Sequence, residues 1–317
     1  MKMTDKQQQL AAFLDQSTME GGVDFHLHTH YSDGLQSPAD VLRAAWKARL
    51  RAAAITDHDT LGGIAEAAAE QKLLLRENTD RAETVFVAGI EISTHFADAE
   101  IHLLAYFPEK PPAEMYEFIA EVQKERKIRN QKMFDQILKL GYELSISGPE
   151  EGDRADEVWG RVHLARQLVR DGHFTSGKEA FNKLLAPGKP AYIARRHFTV
   201  QECLRMINAA NGLAVLAHPH EYKFCPLSVD DKAAVQLLTG IFRDLKAMGL
   251  HGIEAFHGMV DPERAYLFYK LARELDLIVT QGSDNHGKDE NDSHHVMYTG
   301  ETKLYRDYVL SRDQSAE

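Results

Sequence analysis

Seven short apolar segments, rich in β-branched or small residues, recur along 317 residues with helix-patterned sequence between most of them. They are VDFHL (23–27), AAAIT (52–56), VFVAGIEIS (85–93), IHLLAYF (101–107), LAVLAH (213–218), GIEAF (252–256) and LIVTQG (277–282). Strand, helix, strand in repetition predicts an α/β protein with a mainly parallel sheet or a barrel. Two of the intervening helices carry start signals. One is Ser37 followed by Pro38; the other is the capping box Thr199-x-x-Glu202, whose helix is expected to run to NAANG and stop at Gly212.

Residues 109–198 break this rhythm. The stretches AEMYEFIAEVQKERKIRNQKMFDQILKLGYEL and RVHLARQLVRDGHF read as amphipathic helices, with no strand until PAYIA. The expected organisation is a core formed by 1–108 and 199–317, with 109–198 as a helical insertion. A net charge of -11 argues against an extended nucleic-acid surface or a membrane-binding face, both of which need clustered cations. It leaves room for an anionic substrate held by metals and a few arginines. No apolar run reaches the roughly 18 residues of a membrane span, and the first residues lack a signal-peptide core. Cys203 and Cys225 are too few for a disulfide framework and lack zinc-finger spacing, so reduced thiols and a cytoplasmic location are expected, with Cys203 on the buried face of its helix.

The chemistry gathers at the strand ends. In VDFHLHTHYSDG, alternation along a strand sends His26 and His28 to one face and Phe25 and Leu27 to the other. Two imidazoles converging in this way suit a transition metal, although a pair of surface histidines has the same spacing. The pattern recurs, however. ITDHDT places His58 just past an apolar run, GIEIS places Glu91 near one, and EIHLLAY opens on His102. LAHP closes on His218, and QGSDNHG follows a strand with Asp284 and His286. With Asp33, these make nine candidate ligands near strand ends, chiefly the carboxyl ends, where parallel α/β folds keep their active sites.

Those motifs, in that order over residues 24–287, resemble the polymerase and histidinol phosphatase (PHP) family of metal-dependent phosphoesterases. The insertion carrying GRVHLARQLV makes the chain most similar to the branch of nucleotide phosphatases and 5′-3′ exoribonucleases. The resemblance implies a distorted (β/α)7 barrel whose insertion covers the active site. It implies three divalent ions: one held by His26, His28, Glu91 and Asp284, a second sharing Glu91 with His102 and His218, and a third on Asp33, His58 and His286. Six histidines among nine ligands favour manganese, with iron or zinc as alternatives, over magnesium or calcium.

Such a centre suits phosphate-ester hydrolysis by a metal-activated hydroxide on a small phosphorylated substrate, a nucleotide or a short RNA 5′ end. His26, His28, Glu91 and His286 are the expected catalytic set, with His286 or His58 placed at the rim near the leaving group. Arg161 and His163 are expected to cradle phosphate by resemblance, and Arg195 with Arg196 is a second choice. Asp24, Asp57 and Asp59 either orient imidazoles or cap turns, Glu254 faces the same mouth, and His294 and His295 read as a loop. Histidinol phosphatases and amidohydrolases are the alternatives on such a barrel. Bridged amidohydrolase centres commonly use a carboxylated lysine, and no lysine stands at a matching strand end here. A purely structural metal module is disfavoured because all nine positions are filled. The rim departs from the family pattern in two places: SDNHGKDENDSHH lacks a glycine shortly after its HG, and the link after AHP is long and polar.

Overall fold

In a computed structural model, which describes residues 2–77, 84–97, 99–149, 158–194, 198–287 and 297–314, seven strands form one sheet in sequential order. They are β1 (Val23–Leu27), β2 (Ala52–Ile55), β3 (Val85–Phe96), β4 (Ala99–Phe107), β5 (Leu213–Leu216), β6 (Gly252–His257) and β7 (Ile278–Gly282). The sheet nearly closes into a barrel. β1 and β7 lie side by side, joined by a Leu27–Asn285 bridge, with the His28 N–H donating to the Asn285 carbonyl at 2.9 Å.

Helices α1 (Asp5–Glu20), α2 (Pro38–Lys47), α3 (Ile64–Glu77), α4 (Ala113–Lys139), α5 (Arg161–Arg170), α6 (Gly177–Ala180), α7 (Val200–Ala209), α8 (Lys232–Ala247), α9 (Pro262–Glu274) and α10 (Arg306–Gln314) surround it among the described residues. Both start signals behave as expected. Ser37 Oγ accepts from the Asp40 N–H at 3.1 Å, and Thr199 and Glu202 form the reciprocal cap. α7 ends at Ala209, three residues before Gly212, and the left-handed turn falls on Asn211 with φ 55°. α1, which has its own Thr4–Gln7 capping box, lies against the amino ends of β5 and β7. There Gln7 donates to the Gly212 carbonyl at 2.9 Å, and Asp15 accepts from the Val279 N–H at 2.8 Å.

The expected mainly parallel order holds for four of the six pairings; β4 runs antiparallel to both β3 and β5. The physical reason is the length of the link. A parallel crossover needs a dozen or more residues, and β3 passes into β4 with Phe96 paired to Ala99, so only a hairpin fits. β4 therefore presents its amino end at the face where the other six strands present their carboxyl ends.

A second departure lies in β1. The register slips between Asp24 and Leu27, so two residues, Phe25 and His26, oppose Ala54 alone. Phe25 consequently joins the barrel-interior cluster with Val23, Tyr106 and Val215, while Leu27 packs outside with Val41, Ala45 and Ile55. The alternation that would have set Phe25 beside Leu27 is broken, yet His26 and His28 still share the inner face.

In the insertion, Met115 and Ile119 of α4 pack with the barrel's outer cluster. Met133, Phe134 and Ile137, further along the same helix, form a separate cluster with Leu164, Leu168, Leu184 and Leu185. α6 runs into a π-turn at Phe181–Leu185. PAYIA forms no strand: Ala191 is buried in that second cluster, and its N–H donates to the Leu184 carbonyl at 3.0 Å.

Candidate metal centre

Each candidate ligand reaches the barrel mouth for a local reason. Glu91 lies within β3 on the same face as Val87, so strand alternation carries its side chain inward. His102 does the same from the amino half of β4. His218 follows β5 where alternation would turn it outward, but its own backbone takes φ 25°, ψ 58° and redirects it. Asp59 and Asp284, with φ 51° and 55°, turn the chain sharply at the ends of their strands. A non-glycine residue held at positive φ costs on the order of 1 kcal/mol, and such strain tends to collect at functional sites. β7 ends in Gly282 because a Cβ there would lie 2.2 Å from Glu254 Oε1 and 2.3 Å from the His26 Cβ.

Glu91 stands at the centre and is fully buried. Its Oε1 lies 2.8 Å from His102 Nδ1 and 3.0 Å from His218 Nε2. Its Oε2 lies 2.7 Å from His58 Nδ1, 3.4 Å from His28 Nε2 and 3.5 Å from His26 Nε2. Asp284 Oδ1 sits 2.9 Å from His28 Nε2 and 3.3 Å from His26 Nε2, and Asp33 Oδ1 is 3.1 Å from His286 Nε2. All nine candidate ligands thus meet in one network. Within it, the sets His26–His28–Glu91–Asp284, His28–Asp33–His58–His286 and His58–Glu91–His102 each bring ligand atoms within 4.8 Å of one another.

Two imidazoles are shared differently from the division the resemblance implies. His58 turns Nδ1 to Glu91 and Nε2 to Asp33, the latter at 3.8 Å, and His28 joins the Asp33 group as well.

The donor set fits metal ions. Buried atoms of His26, His28, Asp33, His58, Glu91 and Asp284 face the common centre with no well-aligned hydrogen bond, a large cost unless a cation satisfies them. Protonation tells the same story. Burial opposes charge on His26, yet Glu254, Asp284 and Glu91 raise its pKa well above the ordinary imidazole range. Burial likewise disfavours ionised Glu91, but His58, His102 and His26 hold its pKa well below the usual carboxylate range. Against the same burial, Glu91 raises His218 to about 9, and Asp33 and Asp284 raise His286 to about 10. His28 is pushed down to about 3 by burial and the charge of His286. Without metals the centre holds protons between its imidazoles and carboxylates, and cations can replace them.

Supporting contacts surround the cluster. Glu254 Oε1 is 3.0 Å from His26 Nδ1, and its Oε2 accepts from the His218 N–H at 2.7 Å. Asp57 braces the β1 loop by accepting from Thr29 N–H, Thr29 Oγ1 and Ser32 Oγ at 2.6–2.7 Å. Asp24 accepts from the Ser283 and Tyr298 N–H groups. Sequence reasoning passed over His257, fully buried beside His220 with ring centroids 4.7 Å apart, although it is the last residue of β6. It also passed over Tyr222, whose hydroxyl accepts from the His102 N–H at 2.8 Å, a contact that no local pattern announces.

Arg161 opens α5 with Nη2 3.7 Å from Glu100, two residues before His102 on the same face of β4, and its guanidinium lies over the rings of Tyr192 and Phe181. His163 Nδ1 accepts from the Gly160 N–H at 2.9 Å, and its ring stacks on Trp159. Arg195, Arg196, His294 and His295 lie outside the described residues. Cys203 and Cys225 are buried and in no disulfide, Cys203 on the inner face of α7. No described helix is long and apolar enough to cross a membrane.

A carboxylate ringed by five imidazoles at the mouth of a nearly closed β/α barrel defines a metal-dependent hydrolase. Residues 24–186 match the PHP domain family, and a Salmonella typhimurium 5′-3′ exoribonuclease Rnm is 31% identical over 83% of this chain and 84% of its own. A 3′,5′-nucleoside bisphosphate phosphatase of Chromobacterium violaceum is 27% identical over 84% and 88%, respectively. The structure of a Bifidobacterium adolescentis protein described as a metal-dependent phosphoesterase superposes with a TM-score of 0.71 at 26% identity, covering 92% of this chain and 96% of that one. The chain belongs to the PHP family and is a phosphoric ester hydrolase.

Proposed function

We propose that this enzyme hydrolyses a phosphate ester at the end of a nucleotide, either a 3′,5′-bisphosphonucleotide or the 5′ end of a short RNA. The observation that carries the reading is Glu91, fully buried with five imidazole nitrogens within 3.5 Å. A carboxylate has two oxygens and can serve two cations, whereas each imidazole nitrogen serves one. His26, His28, Glu91 and Asp284 would hold one ion; Glu91, His102 and His218 a second; Asp33, His58 and His286 a third. Manganese is our first assignment, with iron or zinc as alternatives. Bound ions of this kind acidify water and offset negative charge on a phosphate in its transition state.

The chain's own groups do the positioning. Glu254 fixes the ring of His26 and the backbone of His218, so two ligands keep their aim. Arg161 presents a planar fork that matches phosphate oxygens, and Tyr192 and Phe181 hold its guanidinium plane. Residues 109–198 serve as the cover over this site, with His163 as the cap of α5 beside Arg161 and Arg195 as a further phosphate contact. The net charge of -11 favours small substrates over long nucleic acid. Two buried cysteines outside any disulfide suit the cytoplasm.

The test is a substrate panel with the manganese-loaded protein: a 3′,5′-bisphosphonucleotide, a 5′-phosphorylated oligoribonucleotide and histidinol phosphate, with an amide and a lactone beside them. Release of phosphate or mononucleotides from either of the first two supports the reading. Turnover of histidinol phosphate alone, or of the amide or lactone alone, overturns it.

A further inference from the structure

The insertion sends a buried cation into the loop that carries His58. Arg126, on α4, is 8% exposed, and its Nε and Nη2 lie 2.8 and 2.7 Å from Asp59 Oδ2. Nη2 also donates to Ser93 Oγ at 3.2 Å. The other oxygen of Asp59 accepts from the Ser93 N–H at 2.9 Å, and the Asp59 N–H donates to the Glu91 carbonyl at 2.8 Å. Gln123, three residues before Arg126, donates to the Asp59 carbonyl at 3.0 Å. Asp59 is held at φ 51°, so the turn presenting His58 depends on these bonds more than on backbone preference.

The third arm of the fork points elsewhere. A Cβ on Gly160 would lie 3.1 Å from Arg126 Nη1, tighter than most carbon contacts, and Gly160 is the residue from which α5 and Arg161 start. Asn130, one turn further along α4, donates to the Trp159 carbonyl at 2.7 Å, so the same face of α4 lies against the segment that leads into Arg161. One arginine therefore bonds the metal-site turn and the strand that bears Glu91, and borders the start of the helix assigned to phosphate.

We propose that Arg126 is a positioning residue for substrate: its planar fork sets the distance between Arg161 on α5 and the His58–Asp59 turn. The inference rests on the reading of Arg161 as a phosphate contact. Arg126 itself touches neither substrate nor metal. A lysine would keep the charge but could not span Asp59, Ser93 and Gly160 together.

Two substitutions test this in the full chain loaded with manganese. Gly160→Ala crowds Nη1 without removing charge, and φ -129°, ψ -177° is backbone that alanine adopts freely. Arg126→Lys keeps the charge and loses the fork. The measurements are manganese affinity by titration, binding of inorganic phosphate by calorimetry, and KM and kcat for a 3′,5′-bisphosphonucleotide. In both variants phosphate affinity should weaken about tenfold and KM rise in parallel, with kcat within threefold of the parent; manganese affinity should stay within twofold in Gly160→Ala, which leaves the Asp59 bonds in place, and fall by clearly less than phosphate affinity in Arg126→Lys. The double variant should be no worse than the weaker single one, because both act on one contact.

Unchanged phosphate affinity in both variants overturns the proposal. So does manganese affinity falling in step with phosphate affinity, or a parent that binds no phosphate. Should Arg126→Lys fail to fold, Gly160→Ala decides alone. Inorganic phosphate is the product of any phosphomonoester, so its binding reads this inference even where nucleotide turnover is absent and the proposed substrate is wrong.

Discussion

Replacing Glu91 with glutamine changes one oxygen for an amide nitrogen and removes one negative charge from the point on which five imidazoles converge. Unit charges 4 Å apart at an effective dielectric of about 20 interact by about 4 kcal/mol, and each 1.4 kcal/mol is about tenfold, so a cation that Glu91 contacts should bind roughly a thousandfold more weakly. Side-chain volume is nearly unchanged, so the metal-free fold should survive. The assay has three parts: manganese titration monitored by equilibrium dialysis, thermal unfolding in the presence of chelator, and phosphate release at saturating manganese. The expected result is loss of at least one bound ion and of at least 99.9% of turnover, roughly the same thousandfold, with the metal-free unfolding temperature within a few degrees of the parent. A variant that holds as many ions as tightly as the parent would refute the assignment of Glu91 as the shared ligand. So would one that loses them only because its metal-free form no longer folds.

Two further predictions concern groups outside the ligand set. Glu254→Gln should weaken metal binding roughly 10- to 100-fold, because His26 and the His218 backbone lose a charged acceptor; equal affinities in parent and variant would remove Glu254 from its orienting role. His251, half-buried at the opposite end of the barrel, has its pKa lowered to about 4 by burial, and its Nδ1 accepts from the Ala214 N–H at 3.0 Å. The unfolded chain takes up this proton below about pH 6.5 while the native chain resists it until about 4, so stability should fall with acid across that window by at most about 3 kcal/mol. His251→Asn keeps an acceptor for Ala214 but does not titrate, so urea unfolding at pH 7.5 and 4.5 should show a smaller acid loss than in the parent. Equal losses would contradict the assignment.

Much of the site could be read along the chain because each ligand sits in a local pattern. Strands show themselves as short apolar runs with turn residues after them, and a histidine or carboxylate at the end of such a run is conspicuous. All seven strands, and the placing of nine candidate ligands near their ends, could be read from that one-dimensional signal. The Ser37 and Thr199 caps were legible for the same reason, since donor and acceptor lie three residues apart.

What the tertiary structure alone decided depends on partners distant in the chain. Phe25 turned inward because β1 slips register against β2, a choice made by packing on Tyr106 and α1. His218 is aimed by its own unusual backbone angle, and His58 is shared between Glu91 and Asp33. Arg126 looks like any solvated arginine of a polar helix until Asp59, 67 positions away, is folded against it. Periodicity reports which face a residue prefers within a few neighbours. Register, kinks and buried ion pairs are settled by contacts across the whole chain, where the cost of an unpartnered charge or an empty volume is weighed only once the barrel has closed.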